Sequence, residues 1–186
     1  MEDGYKKILE YLHGESKKGA DRSNTIIELR RLLSSKPYSV CIVGEPDELF
    51  ASIAVYEKVP TLSWLSTNNS LDEYLRDVDT YHRHDVDTSG CLELFIRPYD
   101  IVIVQMNVAI NHPYPQRIIS RFLSMARVKC IVLNSHKAFT LEGVEKDAKE
   151  FIGHVEAMNA DKYTKKRDIQ RSNGWTEFDR KIPAME

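Results

Sequence analysis

An α/β fold is predicted, with helices covering both faces of a mostly parallel sheet that closes in an antiparallel hairpin. Three observations predict it. Runs of strand length recur along the chain at Tyr38–Val43, Thr61–Leu65, Tyr99–Met106 and Val128–Leu133. Amphipathic segments of helical period fall between them. Near the C-terminus, Ser172-Asn173-Gly174 separates two strand-like segments, and Asn-Gly between such runs is a hairpin signal. Parallel neighbours need a long crossover, which the intervening helices supply.

Each element has its own warrant. Tyr5, Ile8, Leu9 and Leu12 share one face of a first helix, Tyr5–His13. Gly14–Gly19 is polar and reads as a loop. Ser23 or Asn24 caps a second helix over Thr25–Leu33, with Ile26, Leu29 and Leu33 inward. Tyr38–Val43 is a buried strand, broken by Gly44-Glu45-Pro46-Asp47, and a helix follows from Asp47 to Lys58. After the Thr61–Leu65 strand, Thr67 to Ser70 make a turn with a helix N-cap. Leu71, Tyr74, Leu75 and Val78 then predict a helix over 71–79. A short strand is read near Tyr81–Val86 and a helical turn through Leu92–Ile96. Tyr99–Met106, continuous in Ile and Val, reads as buried on both faces. Pro113 and Pro115 open a helix through Ala126, because proline lacks only an N–H that the first turn leaves unused. Leu141, Val144, Ala148, Phe151, Ile152 and Val155 predict one long amphipathic helix. Segments 162–171 and 175–182 form the hairpin. Residues 1–36 are expected to be an N-terminal helical extension, and 37–186 the α/β domain.

Composition limits the function classes. The chain has 186 residues, 42% hydrophobic and 29% charged, which suits one globular domain and not a disordered segment. Lys and Arg total 26 against 28 Asp and Glu, so the net charge is −2 and no global basic field exists to grip nucleic acid. No apolar run approaches the roughly 20 residues of a membrane helix. The acidic start, Met1-Glu2-Asp3-Gly4, carries no apolar leader. Three widely spaced cysteines, Cys41, Cys91 and Cys130, argue against a disulfide scaffold or zinc knuckle. A reducing, cytoplasmic location without membrane contact is the expectation.

In an open α/β sheet, ligands bind beyond the carboxyl ends of the strands, where strand order reverses. The positions so placed are Gly44 to Asp47, Ser66 to Asn69, Asp85 and Asp87, Gln105 to Asn107, and Asn134 to His136.

The run from Tyr38 to Ile182 resembles the class I S-adenosylmethionine-dependent methyltransferases. The resemblance is carried by the element order and terminal hairpin, by Val40-Cys41-Ile42-Val43-Gly44-Glu45-Pro46 at the first strand end, and by Asp85 and Asp87 after the third strand. Pro98-Tyr99-Asp100-Ile101-Val102-Ile103-Val104 at the fourth strand adds to it. It implies a three-layer Rossmann-like sheet and S-adenosylmethionine as cofactor. That cofactor would lie over Gly44, Glu45 and Asp47, with its adenine near Asp85 or Asp87. The methyl acceptor would approach Asn107 and His112. The family's loop is richer in glycine, and the family places a carboxylate after the second strand, whereas Ser63–Ser70 contains no acid. Glu45 with Asp85-Val86-Asp87-Thr88-Ser89-Gly90 also resembles the Mg²⁺ site of Toprim domains, where convergent carboxylates suit a hard cation.

Other constellations have both plain and functional readings. His82 and His84 share a strand face, but no second pair at zinc spacing joins them, so no metal site is assigned. Lys162, Lys165, Lys166, Arg167 and Arg171, with Tyr163 and Trp175 nearby, form either a nucleic-acid surface or a charged edge that blocks sheet aggregation. The leading expectation is a methyltransferase-like protein, catalytically active or inactive, with nucleic acid as a candidate partner. The alternatives are a non-enzymatic binding or assembly subunit that keeps the sheet and engages a protein partner, and a Toprim-like Mg²⁺-dependent nucleic-acid enzyme.

Overall fold

The computed structural model describes residues 2–45, 47–86, 97–170 and 173–181. Asp87, Cys91, Arg171 and the helical turn expected at 92–96 lie outside the described residues. The helices are α1 (Glu2–Glu15), α2 (Ala20–Leu33), α3 (Glu48–Tyr56), α4 (Pro115–Ser124) and α5 (Lys149–Met158). The strands are β1 (Ser39–Val43), β2 (Thr61–Leu65), β3 (Tyr81–His84), β4 (Tyr99–Gln105), β5 (Ala126–Leu133), β6 (Lys137–Phe139), β7 (Glu145–Asp147), β8 (Tyr163–Ile169) and β9 (Trp175–Arg180). Seven of them form one sheet in the order β3-β2-β1-β4-β5-β9-β8, and β6 with β7 makes a separate ribbon. The expected α/β class is observed. β2–β3 and β4–β5 are parallel, while β9 runs antiparallel to both β5 and β8.

The chain divides into two compact units. The first comprises Met1–Cys41 and Glu45–Val86. Its core is Ile8 of α1, Leu29, Leu32 and Leu33 of α2, Leu49, Ile53 and Ala54 of α3, and Leu62, Trp64 and Leu65 of β2. Tyr5 stacks on Tyr56 at 6.2 Å between ring centroids, tying α1 to α3. Arg30 pairs with Glu57 at 2.8 Å, tying α2 to the end of α3. β3 is polar and lies at the edge of the sheet, and none of its four residues is buried.

Three expectations need correction here. The segment 71–79 is a chain of turns and not a helix. Leu71, Leu75 and Val78 are buried at the expected spacing. However, three of the four local bonds, Asp72 N to Asn69 O, Arg76 N to Glu73 O and Val78 N to Leu75 O, span only three residues. Isolated three-residue turns do not propagate as an α-helix does. The N-cap of α2 is Gly19, not Ser23 or Asn24, and the Ser23 hydroxyl instead donates to Ser16 O at 3.0 Å. In α1, Leu9 is 39% exposed, although the helical pattern placed it inward.

The second unit comprises Ile42–Gly44 and Asp87–Glu186. Ile101 to Val104 of β4 and Cys130 to Val132 of β5 are all buried, with Ile119, Phe122 and Leu123 of α4 and Ile152 and Val155 of α5 in the same core. The long helix expected over 141–155 is a further correction. Only Lys149–Met158 is helical, and the preceding residues form the β6–β7 ribbon. Gly143, at φ 81°, turns the chain where Thr140 N donates to Val144 O and the Thr140 hydroxyl accepts from Val144 N. Leu141 and Val144 therefore stand 86% and 55% exposed at the ribbon tip. α4 begins at Pro115, two residues after the first of its two prolines.

Candidate functional site

The strand order reverses between β1 and β4. β1 leads to β2 and β3 on one side, while β4 leads to β5 on the other. That reversal is where a crevice opens in this class of sheet. Gly44 ends β1 with φ 136°, a conformation side chains rarely adopt. A Cβ placed on it would stand 2.6 Å from Cδ and 2.7 Å from Oε1 of Gln105, the last residue of β4. The switch point thus sets a buried, side-chain-free backbone segment against a primary amide. Gln105 belonged to the strand-end residues, but its partnership with Gly44 is long-range and leaves no local pattern in the sequence.

From Gln105, strand ends line up across the second unit. Gln105 pairs in register with Leu133, Leu133 with Trp175, and Trp175 with Ile169. Beyond Gln105 a 3-10 turn, Met106–Val108, carries Asn107. Its Oδ1 accepts from Phe139 N at 2.7 Å, so the acceptor half of this side chain holds β6. His112 is exposed, and its Nδ1 accepts from Tyr114 N at 3.1 Å. That bond leaves the proton of the neutral ring on Nε2, making that atom a donor rather than a base. Past β5, His136 pairs through Nε2 with Asp168 of β8. The Thr176 hydroxyl donates to Ser135 Oγ at 2.7 Å in the buried layer beneath. Asp168 is the member of this network that strand-end reasoning missed, because it lies inside a strand of the hairpin.

In the first unit, the other expected cofactor residues each have a contact of their own. Glu45 is exposed, and its carboxylate accepts from Asn68 Nδ2 at 3.1 Å. Asp47 caps α3, with Oδ1 accepting from Leu49 N at 2.8 Å and Phe50 N at 3.4 Å. The donors at that helix start already meet a carboxylate. Asp85 lies 3.4 Å from Arg83 Nη1. Arg83 also donates to Asp72 and to Ser66 O, so it braces β3 against the loop after β2. Asp72 raises the Arg83 pKa, chiefly through that hydrogen bond. Burial, reinforced by Asp72, raises that of Tyr81. No group of three or more His, Cys, Asp or Glu able to hold a metal occurs among the described residues.

The basic segment is only partly as expected. Lys162, Lys165 and Lys166 are exposed and Arg167 half-buried. Lys165 is matched by Glu156 at 3.1 Å and Asp168 at 3.7 Å. Tyr163 and Trp175, expected beside these cations as an aromatic surface, are both buried. The Tyr163 hydroxyl donates to Ala126 O at 2.6 Å, and burial raises its pKa. Strand alternation turned both rings toward the core.

Solved structures share this architecture. The N-methyltransferase NodS of Bradyrhizobium japonicum WM9, in complex with S-adenosyl-L-homocysteine, superposes with a TM-score of 0.63 over 94% of this chain and 98% of its own, at 10% identity. The fold is that of the class I methyltransferases. The S-adenosylhomocysteine-bound methyltransferase of Podospora anserina matches it at TM-score 0.63 over 95% and 88%, also at 10% identity. A methyltransferase of Geobacter sulfurreducens matches at 0.61 over 93% and 87%, at 14% identity. No protein-family model and no curated protein matches the chain. Within this methyltransferase fold, Gly44 and Gln105 stand at the strand-order reversal. Among the described residues no helix is long and apolar enough to cross a membrane.

Proposed function

We propose that this chain is a methyltransferase-like protein that takes S-adenosylmethionine, or its demethylated product, at the strand ends marked by Gly44 and Gln105. The observation that carries the reading is the Gly44–Gln105 contact at the switch point of a methyltransferase-ordered sheet. The backbone there fits such a donor. Gly44 brings no side chain of its own to the switch point, and the Gln105 amide packed against it is of the chemical type that the amino and carboxylate groups of a methionine moiety pair with. The bound donor would supply an electrophilic methyl group on a sulfonium. The chain's own contribution is to position the acceptor and exclude water, which suffices for a direct displacement. Asn107 is held by its bond to Phe139 N, and His112 Nε2 is a hydrogen-bond donor, so both orient an acceptor.

We take a nucleic acid as the acceptor class, supported by the exposed Lys166 on the edge strand β8 and the exposed Lys162 just before it. A second reading, a non-enzymatic binding subunit on the same sheet, is favoured by two observations. Ser63–Ser70 carries no acid for ribose hydroxyls, and Asp47 already occupies the α3 donors. Calorimetric titration with S-adenosylhomocysteine separates the readings. One saturable site that weakens about tenfold in Gln105→Leu supports donor binding, since tenfold corresponds to one well-made polar contact. Absence of binding to the parent protein leaves the binding-subunit reading.

A further inference from the structure

The first unit contains a second cleft, of about 480 Å³, formed where α1 meets the end of α3. Tyr5, Leu9, Val55 and Val78 line it, and Lys6 and Lys58 stand in its wall. Its place in the fold separates it from the strand-end residues. Lys58 precedes β2, and Thr80, also in the wall, precedes β3. β2 and β3 run parallel, so the cleft lies at their amino ends, whereas Glu45 and Asp85 belong to carboxyl ends. The volume is within the range of small-molecule sites, which are mostly apolar with a few placed polar groups.

Lys58 marks this cleft as more than a packing gap. α3 ends with Val59 N donating to Ala54 O and Lys58 N to Val55 O. This is the helix-ending motif whose left-handed residue is usually glycine. Lys58 takes that place with φ 60°. A side chain there carries a conformational cost that glycine would remove. The residue that carries it is a lysine, a cationic residue in the wall of an apolar cleft. No ion pair engages Lys6 or Lys58 among the described residues.

We propose that this cleft binds an amphipathic monocarboxylate, an aliphatic or aryl acid. The apolar body fills the space among Tyr5, Leu9, Val55 and Val78, and the carboxylate meets Lys58 and Lys6. Two cations at an apolar cleft select an anionic head, and burial of the body supplies most of the affinity.

The test uses the full chain and two probes of equal length, decanoate and decanol, below their aggregation limits. Calorimetry is expected to show one saturable site for decanoate and at least tenfold weaker binding of decanol. Lys58→Gly is the informative variant, because it is expected to relieve the left-handed strain, and a urea unfolding curve checks that it is folded where its binding is measured. Its decanoate affinity is expected to fall about threefold to fivefold, the scale of one exposed charged contact, and Lys58→Arg is expected to keep it. Equal binding of the two probes, unchanged decanoate affinity in Lys58→Gly, or no saturable binding would overturn the proposal. So would light scattering that shows the cleft closed by self-association.

Discussion

At the scale of single residues, backbone conformation sets the sharpest constraints. Gly44 at φ 136° faces the flexible end of Gln105, which can swing away from a new methyl group. The strained backbone cannot be relieved so easily. Gly44→Ala is therefore expected to cost about 1–3 kcal/mol in urea unfolding. Adding Gln105→Ala should recover only the smaller, steric part of that loss. Lys58 has the opposite sign. Lys58→Gly is expected to raise stability by about 0.5–1 kcal/mol, because the left-handed penalty exceeds the extra entropy of the unfolded glycine. A loss of stability in that variant would show that φ 60° is unstrained here. Cys41 and Cys130 are both buried, and burial pushes the Cys130 thiol well above its ordinary pKa. Thiol titration with an aromatic disulfide near neutral pH should leave both unmodified until the protein is unfolded.

Among the elements, the strands buried on both faces are the most legible in the sequence, and the segments 71–79 and 141–148, set by local turns, are the least. Thr61–Leu65 is observed with the bounds its pattern gave, and β4 differs from its expected run by one residue. Apolar continuity is the physical requirement of a strand covered on both faces, so the pattern and the cause coincide. Leu141 and Val144 mislead for the converse reason. Their spacing from Ala148 and Phe151 is helical, but Gly143 and the Thr140 hydroxyl turn the chain first. A double change, Leu141→Ser with Val144→Ser, should then shift stability by no more than about 0.5 kcal/mol. A core helix would lose several times that. In the hairpin, alternation is legible in the sequence but its facing is not, so an aromatic surface of Tyr163 and Trp175 stays open there as one of two readings, and the structure buries both rings. Tyr163→Phe leaves the Ala126 carbonyl without its buried donor and should cost about 1–2 kcal/mol. If β8 holds nucleic acid through its lysines alone, that variant should bind single-stranded RNA as the parent does. Lys162→Glu with Lys166→Glu should abolish the binding and flatten its salt dependence, measured by fluorescence anisotropy.

For the molecule as a whole, strand order is the feature that local sequence describes least. The alternation of strands and helices gave the class. The Asn173-Gly174 turn gave the final hairpin, but only the structure shows β9 inserted between β5 and β8. Tertiary pairing decides that insertion, since the contacts from Lys129–Asp179 to Leu133–Trp175 join segments about forty to fifty residues apart. Its consequence is protective. Cys130, Ile131 and Val132 of β5 are buried, and β9 covers the outer edge of that strand with Phe178 and Thr176 buried against it. β8 then forms the new edge and carries Lys165 and Lys166, with Lys162 just before it, charges that oppose edge-to-edge pairing. A chain ending at Asp161 keeps every parallel strand but bares the apolar edge of β5. It should therefore associate at micromolar concentration while the full chain does not, as size-exclusion chromatography with light scattering would register. If the truncated chain stays monodisperse, the hairpin is an appendage and not the cover of the sheet. The nucleic-acid reading of β8 would then lose its structural competitor, because its lysines would have no edge to protect.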